Sequence, residues 1–597
     1  MDEQPQSIWK KNITGRMALI IWLAVAMVAL ILGTFIASLA DYIYPMSNWA
    51  AAVAIFAGLC FTGVGLVIYV VWPLSRWLFW KHWRRTLFGL ACFATLIALG
   101  YAEEDWRGKH DWKKFQREWE ARGEKFDFAS IIPPPVPDDQ NFAMSPVVAS
   151  SYAQTLTRDG KKIPYEERDT NIVDRLSFDL GDADIKTNGY GSWIKGTTSN
   201  LKVWQDNYRA LAAKTNLFAV PPQPQSPAAD VLLALSKYDA AVEELRSAGE
   251  RPQCRFPLNY DAENCATILL PHLATMKRAT QLLKLRALAE LQNGQSEKAL
   301  ADVHLTLRLT EAMRTEPFLI SHLVRIAMTE IILQPIYEGL ANHQWTDNQL
   351  VTLDAELAKL DFLADYQLAM RGERVFSLSI IDYVSKKPRY KKYQEMTEMM
   401  GDNNNNPTTS EILQKTARGV GFWLMPAGWF EQNKLVIAKG QQDWMDGIIF
   451  PEKHLASPSK YNEIGLAKDH LFQNASRPWN FLSKELMPAL GAMAKKSSRE
   501  QISVDLARTA IALERCRLAH GEFPEALDVL APQFIAKVPH DVISGQPLRY
   551  RRTADGQFVL YSVGWNEKDD GGVTIIHKGG TQPRFEEGDW VWRYPIK

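Results

Sequence analysis

The sequence predicts a mainly α-helical protein with a membrane-embedded N-terminal region and a small C-terminal α+β module. Three observations carry that prediction. Three long apolar runs fall in the first hundred of 597 residues, and the remainder reads as a water-soluble chain. Helical periodicity dominates from 228 to 385. Near the end, apolar residues flank an Asp-Gly pair and then an acidic, glycine-rich loop. A chain of this length exceeds what one core serves, so several domains are expected. They are a transmembrane region over 1–101; a juxtamembrane helix, Pro-rich spacer and mixed segment over 102–227; a helical repeat-like domain over 228–385; an irregular connecting region over 386–496; and the α+β module over 497–597. Lys plus Arg number 68, as do Asp plus Glu, so bulk charge does not point to nucleic acid or to acidic partners, and no nucleic-acid partner is expected.

The apolar runs are 17–39, 49–72 and 84–101. The first two are long enough to cross about 30 Å of hydrocarbon at about 1.5 Å per residue. The apolar core of the third, Thr86 to Tyr101, covers only about 24 Å. Its flanks extend it: Trp83 and Tyr101 suit the interface, and Arg84 and Arg85 can snorkel. Together the three runs predict a three-helix transmembrane region with the lipid bilayer as its partner. Lys10, Lys11 and Arg16 precede the first run. Arg76, Lys81, Arg84 and Arg85 lie between the second and third, and the loop DYIYPMSN between the first two has neither Lys nor Arg. The positive-inside rule then places the N-terminus in the cytoplasm and everything after Tyr101 outside it. That placement depends on the third run crossing; two crossings would leave the large region in the cytoplasm.

Beyond the spans, Trp112, Phe115 and Trp119 recur at helical spacing, which predicts a juxtamembrane helix. IIPPPVPDDQNFAMSP stops it and reads as an extended spacer, and PPQPQSP marks a boundary near 227. Residues 288–309 resemble the turn and second helix of a tetratricopeptide repeat, with Asn293-Gly294 as the turn and Ala299 and Leu300 opening the next apolar face. A repeat-like array and an irregular helical bundle both fit this middle region. Cys254 and Cys265 flank RFPLNYDAEN; a disulfide closing that short loop and two unrelated thiols are both open. GVGFWLMPAGWF, 419–430, is too short to span, which leaves a dip into the membrane surface or a packed core loop.

The module opens with Ser497 and Glu500, spaced as a capping box, followed by apolar residues at helical intervals and Gly521 at the stop position. GEFPEALDVLAP predicts a short second helix, and LRYRRTADGQFVLYSVG two strands joined at Asp555-Gly556. An ordered set follows: Gly521, Phe523 and Pro524; Pro539, Asp541, Gly545, Pro547 and Tyr550; Ser562 and Gly564; Gly571 and Gly572; Asp589. Over the last hundred residues or so, this set resembles the soluble domain of the major pseudopilin of type II secretion. The resemblance implies a pseudopilin-like α+β fold and a structural calcium ion on the acidic loop. Asp569, Asp570 and Asp589 are the candidate ligands, since calcium takes six to eight oxygens. Asn566 stands where the family has Asp and Glu567 where it has Gly, so an ion-free D-D-G-G turn remains the alternative. The single apolar helix that leads directly into this domain in pseudopilins is not present at that place here. The whole chain resembles large bacterial multi-domain membrane proteins that join apolar spans to a helical middle and such a module.

Signs of catalysis are sparse. The sequence has no H-E-x-x-H, no phosphate-binding glycine loop and no G-x-S-x-G, so zinc and a small-molecule substrate are not expected. Ser192/Lys195 and Ser457/Lys460 fit S-x-x-K without partner motifs, and His304 and His322 fall on helical segments as packing or surface residues. The expected function is non-catalytic: an inner-membrane scaffold or binding protein presenting its helical domain and pseudopilin-like module to protein partners in the periplasm. An accessory subunit of a pilus-like or type II secretion-like apparatus, and an envelope hydrolase with an unrecognised site, are the alternatives.

Overall fold

In the computed structural model the described residues are 82–169, 171–182, 185, 189–399, 409–473, 482–483, 491–576 and 583–595. The runs expected to span at 17–39 and 49–72 lie outside them. Helix covers 60% and strand 7%, so the fold is mainly α with a small C-terminal sheet region. Two compact units form, one from 1–109 with 384–429 and one from 110–383 with 430–597.

The helices in chain order are α1 (His82–Glu120), α2 (Pro146–Ala149), α3 (Leu201–Lys214), α4 (Pro227–Leu235), α5 (Asp239–Gly249), α6 (Pro271–Gln292), α7 (Ser296–Ala312) and α8 (Leu319–Ala341). There follow α9 (Asp347–Leu357), α10 (Phe362–Lys386), α11 (Lys392–Met399), α12 (Thr409–Leu424), α13 (Ala427–Ile448), α14 (Pro458–Gln473) and α15 (Gly491–His520). The third apolar run and the juxtamembrane helix are therefore a single helix, α1, because no Pro or Gly-rich break separates them. Its most apolar stretch has a mean hydropathy of 1.6 and none of it is buried.

In the first unit, α1 meets the start of α13 backbone to backbone. A Cβ on Gly108 would overlap the Gly428 carbonyl, and one on Gly428 would overlap the Glu104 carbonyl. The Gly428 amide donates to Asp105 Oδ1 at 2.6 Å and the Trp429 indole to Glu104 Oε2 at 3.0 Å, so α1 carboxylates satisfy donors at the α13 N-terminus.

In the second unit, Trp112 and Phe115 pack with Phe126, Leu378 and Ala438, which is the use of their helical spacing. The Pro-rich segment does not act as a free spacer. Phe142, Val147 and Val148 are buried, and the Asn141 side chain both donates to the Arg255 carbonyl (2.8 Å) and accepts from its amide (2.9 Å). Helices α6 and α7 form the hairpin expected around Asn293-Gly294. Gly294 takes φ +72°, and Ala299 is fully buried where the helices approach. Asp302 on α7 bridges Arg246 on α5 and Arg286 on α6, both at 2.9 Å. Helix α8 is also long and apolar enough to cross a membrane, but 61% of its apolar stretch is buried.

Helix α15 differs from expectation. It starts before Ser497, so Ser497 and Glu500 are interior positions rather than a capping box, and the boundary expected at 497 falls inside the helix. It packs against α8 and α9 and under the sheet, with apolar side chains in the main core. The expected irregular region 386–496 is largely helical in its described parts, as α11 to α14. The expected short second helix is a single 3-10 turn, Leu527–Leu530.

The strands are β1 (Ile449–Phe450), β2 (Leu455–Ala456), β3 (Arg549–Arg552), β4 (Phe558–Ser562), β5 (Thr574–Ile576), β6 (Pro583–Gly588) and β7 (Trp590–Arg593). Strands β3, β4 and β7 make an antiparallel sheet in that order, with Tyr550 opposite Leu560 and Leu560 opposite Trp592; β5 and β6 pair separately. Trp592 is fully buried, 5.5 Å from Trp193 and 5.4 Å from Tyr337 between ring centroids. Trp592→Ala is expected to cost about 3–5 kcal/mol, while Val573→Ala, at a half-exposed position, should change stability by less than about 0.5 kcal/mol. Urea unfolding of the two variants measures the difference.

Candidate functional site

The acidic loop leaves β4 at Ser562. Asp541, 1% exposed, accepts from the Ser562 hydroxyl (2.8 Å) and the Val563 amide (3.1 Å), which fixes the exit. Gly564 has φ +69°, and a Cβ there would overlap the Gly588 carbonyl, so the two chain segments touch at this turn. Glu567 also has positive φ, at 58°.

Asp589, 2% exposed, then closes the loop from the start of β7. Its Oδ2 accepts from the Gly572 amide at 2.6 Å and from Val573 at 3.3 Å, and its Oδ1 accepts from Asp570 at 3.2 Å. Burial raises the pKa of this carboxyl, against the three amide bonds that lower it. Asp569 turns the other way, accepting from the Tyr561 hydroxyl (2.9 Å) and the Gly571 amide (3.1 Å), with Arg549 at 3.4 Å. Asp570 accepts from the Asn566 side-chain amide at 2.8 Å.

Of the three candidate calcium ligands, Asp569 and Asp570 lie on the loop and Asp589 just before β7, and they perform three separate tasks. Amide protons point at the Asp589 oxygens that a cation would need. Among the described residues, no group of three or more His, Cys, Asp or Glu side chains could hold a metal ion. Asn566 acquires a reason in this arrangement, because it donates to Asp570 where an aspartate would repel it.

Of the two readings left open for Cys254 and Cys265, the structure has the unrelated thiols; both are free cysteines. The Cys265 thiol sits 3.5 Å from the Phe376 carbonyl, and burial pushes its pKa up to about 12. Burial raises that of Cys254 as well. These thiols act as small apolar groups rather than nucleophiles.

The S-x-x-K pairs have structural uses. Ser457 Oγ accepts from the Lys460 amide at 3.3 Å as the cap of α14, and Ser192 and Lys195 bracket a turn that buries Trp193. His304 is largely exposed, 3.9 Å from Glu356.

His322 holds a contact that the sequence does not announce, 2.8 Å from Ser497 Oγ across the α8–α15 seam. Both are buried, so no substrate reaches this Ser–His pair. Burial, then the Arg325 charge, lowers the imidazole pKa to about 3. One turn along α15, Glu500 is buried with no hydrogen-bond partner on either oxygen, and burial lifts its pKa well above the usual value. The Ser–His pair joins residues 175 positions apart and has no local spacing by which to find it.

Against known proteins, no family model, no curated protein and no solved structure matches this chain.

The seam has a pH signature. The folded state keeps Glu500 protonated while the unfolded state releases that proton above about pH 4.3. Stability is therefore lost as pH rises from there. Glu500→Gln should raise the thermal midpoint by a few degrees at pH 8 and leave it unchanged at pH 4, as read by scanning calorimetry. His322 acts on the opposite side. Neutral when folded, it withdraws stability as pH falls below about 6.5, and His322→Gln should flatten that acid branch in the same scans.

Proposed function

We propose that this chain is a membrane-anchored, non-catalytic scaffold or binding protein of the bacterial envelope. One observation carries the reading, the apolar half of α1. Leu87, Phe88, Leu90, Phe93, Leu96 and Leu99 are each at least half exposed on a continuous helix. A patch of this size on all sides of a helix has no stable solution in water and matches hydrocarbon. The non-catalytic part of the reading rests on the buried Ser–His pair and on the acidic loop's carboxylates, each engaged in holding the fold.

Positive-inside placement sets the orientation within this proposal: the N-terminus in the cytoplasm and the region after Tyr101 in the periplasm, at the inner membrane. Reporter fusions after Asp105 and at the C-terminus should be active only outside the cytoplasm. Cytoplasmic activity at either point overturns the orientation.

Calcium on the acidic loop is a second reading, favoured by the pseudopilin resemblance alone. It requires Asp589 to release its amide donors. If calcium binds, the thermal midpoint of the full chain rises with calcium and Asp569→Ala with Asp570→Ala removes the shift. With no ion, Asn566→Asp lowers the midpoint equally in calcium and in chelator, by about 1 kcal/mol equivalent for a lost hydrogen bond.

A further inference from the structure

The first compact unit carries a surface that anchoring by α1 leaves unexplained. Between α10 and α11 the chain reads KKPRYKK, so five of the seven residues Lys386–Lys392 are cationic and none is acidic. Lys386, Arg389, Tyr390 and Lys391 are exposed. Burial, and next the Arg389 charge, lowers the Lys392 pKa, as crowding of like charges does. Glu395 and Glu398 on α11 offset only part of this charge, and Glu398 already accepts from Gln394.

Beside this run, Tyr390, Tyr393, Lys415, Val420 and Trp423 line an open groove against α12. Val420, Trp423 and Leu424 are exposed by 52%, 52% and 49%, whereas Phe422 and Met425 are buried. Positions 420, 423 and 424 share one helix face. The stretch 419–430, expected as a surface dip or a packed loop, is thus the end of α12 and the start of α13, with one face of α12 packed and the other exposed.

What lies over that open face is indicated by α1. Tyr101, where the apolar stretch ends, donates its hydroxyl to the Leu424 carbonyl. The exposed α12 face is thus level with the point at which α1 leaves hydrocarbon, and exposed Trp106 lies about one turn beyond. Trp and Tyr at that depth, with Lys and Arg beside them, are the composition of a bilayer interface.

We propose that α12 and the 386–392 run form a dock for anionic phospholipid headgroups. Val420, Trp423 and Leu424 enter the acyl boundary while the cations neutralise phosphodiester charge. The dock rests on the anchoring of α1, and it gives the chain a preference among lipids that a lone apolar span lacks.

The test uses the full chain in two stages. Triton X-114 partitioning comes first: the chain should enter the detergent phase, and recovery in the aqueous phase overturns the anchor and the dock together. Purified chain in neutral detergent is then mixed with dioleoyl phosphatidylglycerol or dioleoyl phosphatidylcholine, and retained lipid is counted by native mass spectrometry. Phosphatidylglycerol should be retained about tenfold over phosphatidylcholine, with the preference falling as salt rises. Replacing Lys386, Lys387, Arg389, Lys391 and Lys392 by Gln should abolish the preference without changing the thermal midpoint. If that variant misfolds, Lys386→Glu with Arg389→Glu and Lys391→Glu, all exposed, replaces it. A detergent-phase chain that retains both lipids equally, a preference that survives the charge changes, or displacement of lipid by inorganic phosphate overturns the dock alone.

Discussion

Helix α15 is surrounded on nearly all sides, and the polar groups along it decide how its neighbours sit. Ser497 meets His322, Arg499 pairs with Glu330 at 2.7 Å, and Gln501 accepts from the Phe362 amide at 2.9 Å. Further along, Arg508 reaches Asp354 and Arg515 reaches Asp347, both at 2.8 Å, and Glu514 meets His343 at 2.9 Å. Apolar burial drives the association, but it is non-directional. These pairings set the register against α8, α9 and α10, because sliding the helix would strand buried donors and charges. Glu500 is the exception within the seam, a buried acid without a partner that the surrounding packing holds neutral.

The C-terminal sheet and its loop depend on the same helix. Strand β7 brings Trp592 into the core beside Trp193 and Tyr337, and Asp589 immediately before it gathers the amides of the acidic loop. Two buried carboxylates, Asp541 and Asp589, perform the same operation at opposite ends of the loop. Each turns backbone N–H groups inward, where a buried acceptor is strongest. The loop's order is thus a property of the core beneath it.

The contrast between α1 and α8 separates composition from environment. Both are long and apolar enough to cross a bilayer. Along α8, Arg325 finds Asp365 at 2.9 Å and Gln334 and Glu338 find partners, so the helix belongs inside the protein. The apolar half of α1 presents large side chains outward over four turns.

Much of the plan was legible locally. The α6–α7 turn at Asn293-Gly294, the stop at Gly521, the β3–β4 hairpin at Asp555-Gly556 and the aromatic spacing of Trp112 and Phe115 follow from short-range stereochemistry and periodicity, which neighbouring residues dictate. The KKPRYKK run was equally visible, but its meaning was not, since nothing in sequence places it beside Trp423. Ser497 and Glu500 looked like a cap because their spacing fits one. Only packing revealed that the helix continues through them, since a helix buried on nearly every side carries little amphipathic edge to mark its beginning. The nearness of Cys254 and Cys265 in sequence left a bridge and two free thiols equally open, and the fold decides it by turning one thiol toward the Phe376 carbonyl and leaving both free. Sequence determined the elements, the turns and the apolar run of α1. The tertiary structure decided which polar groups meet, because partners such as His322 and Ser497 lie 175 residues apart and no local rule joins them.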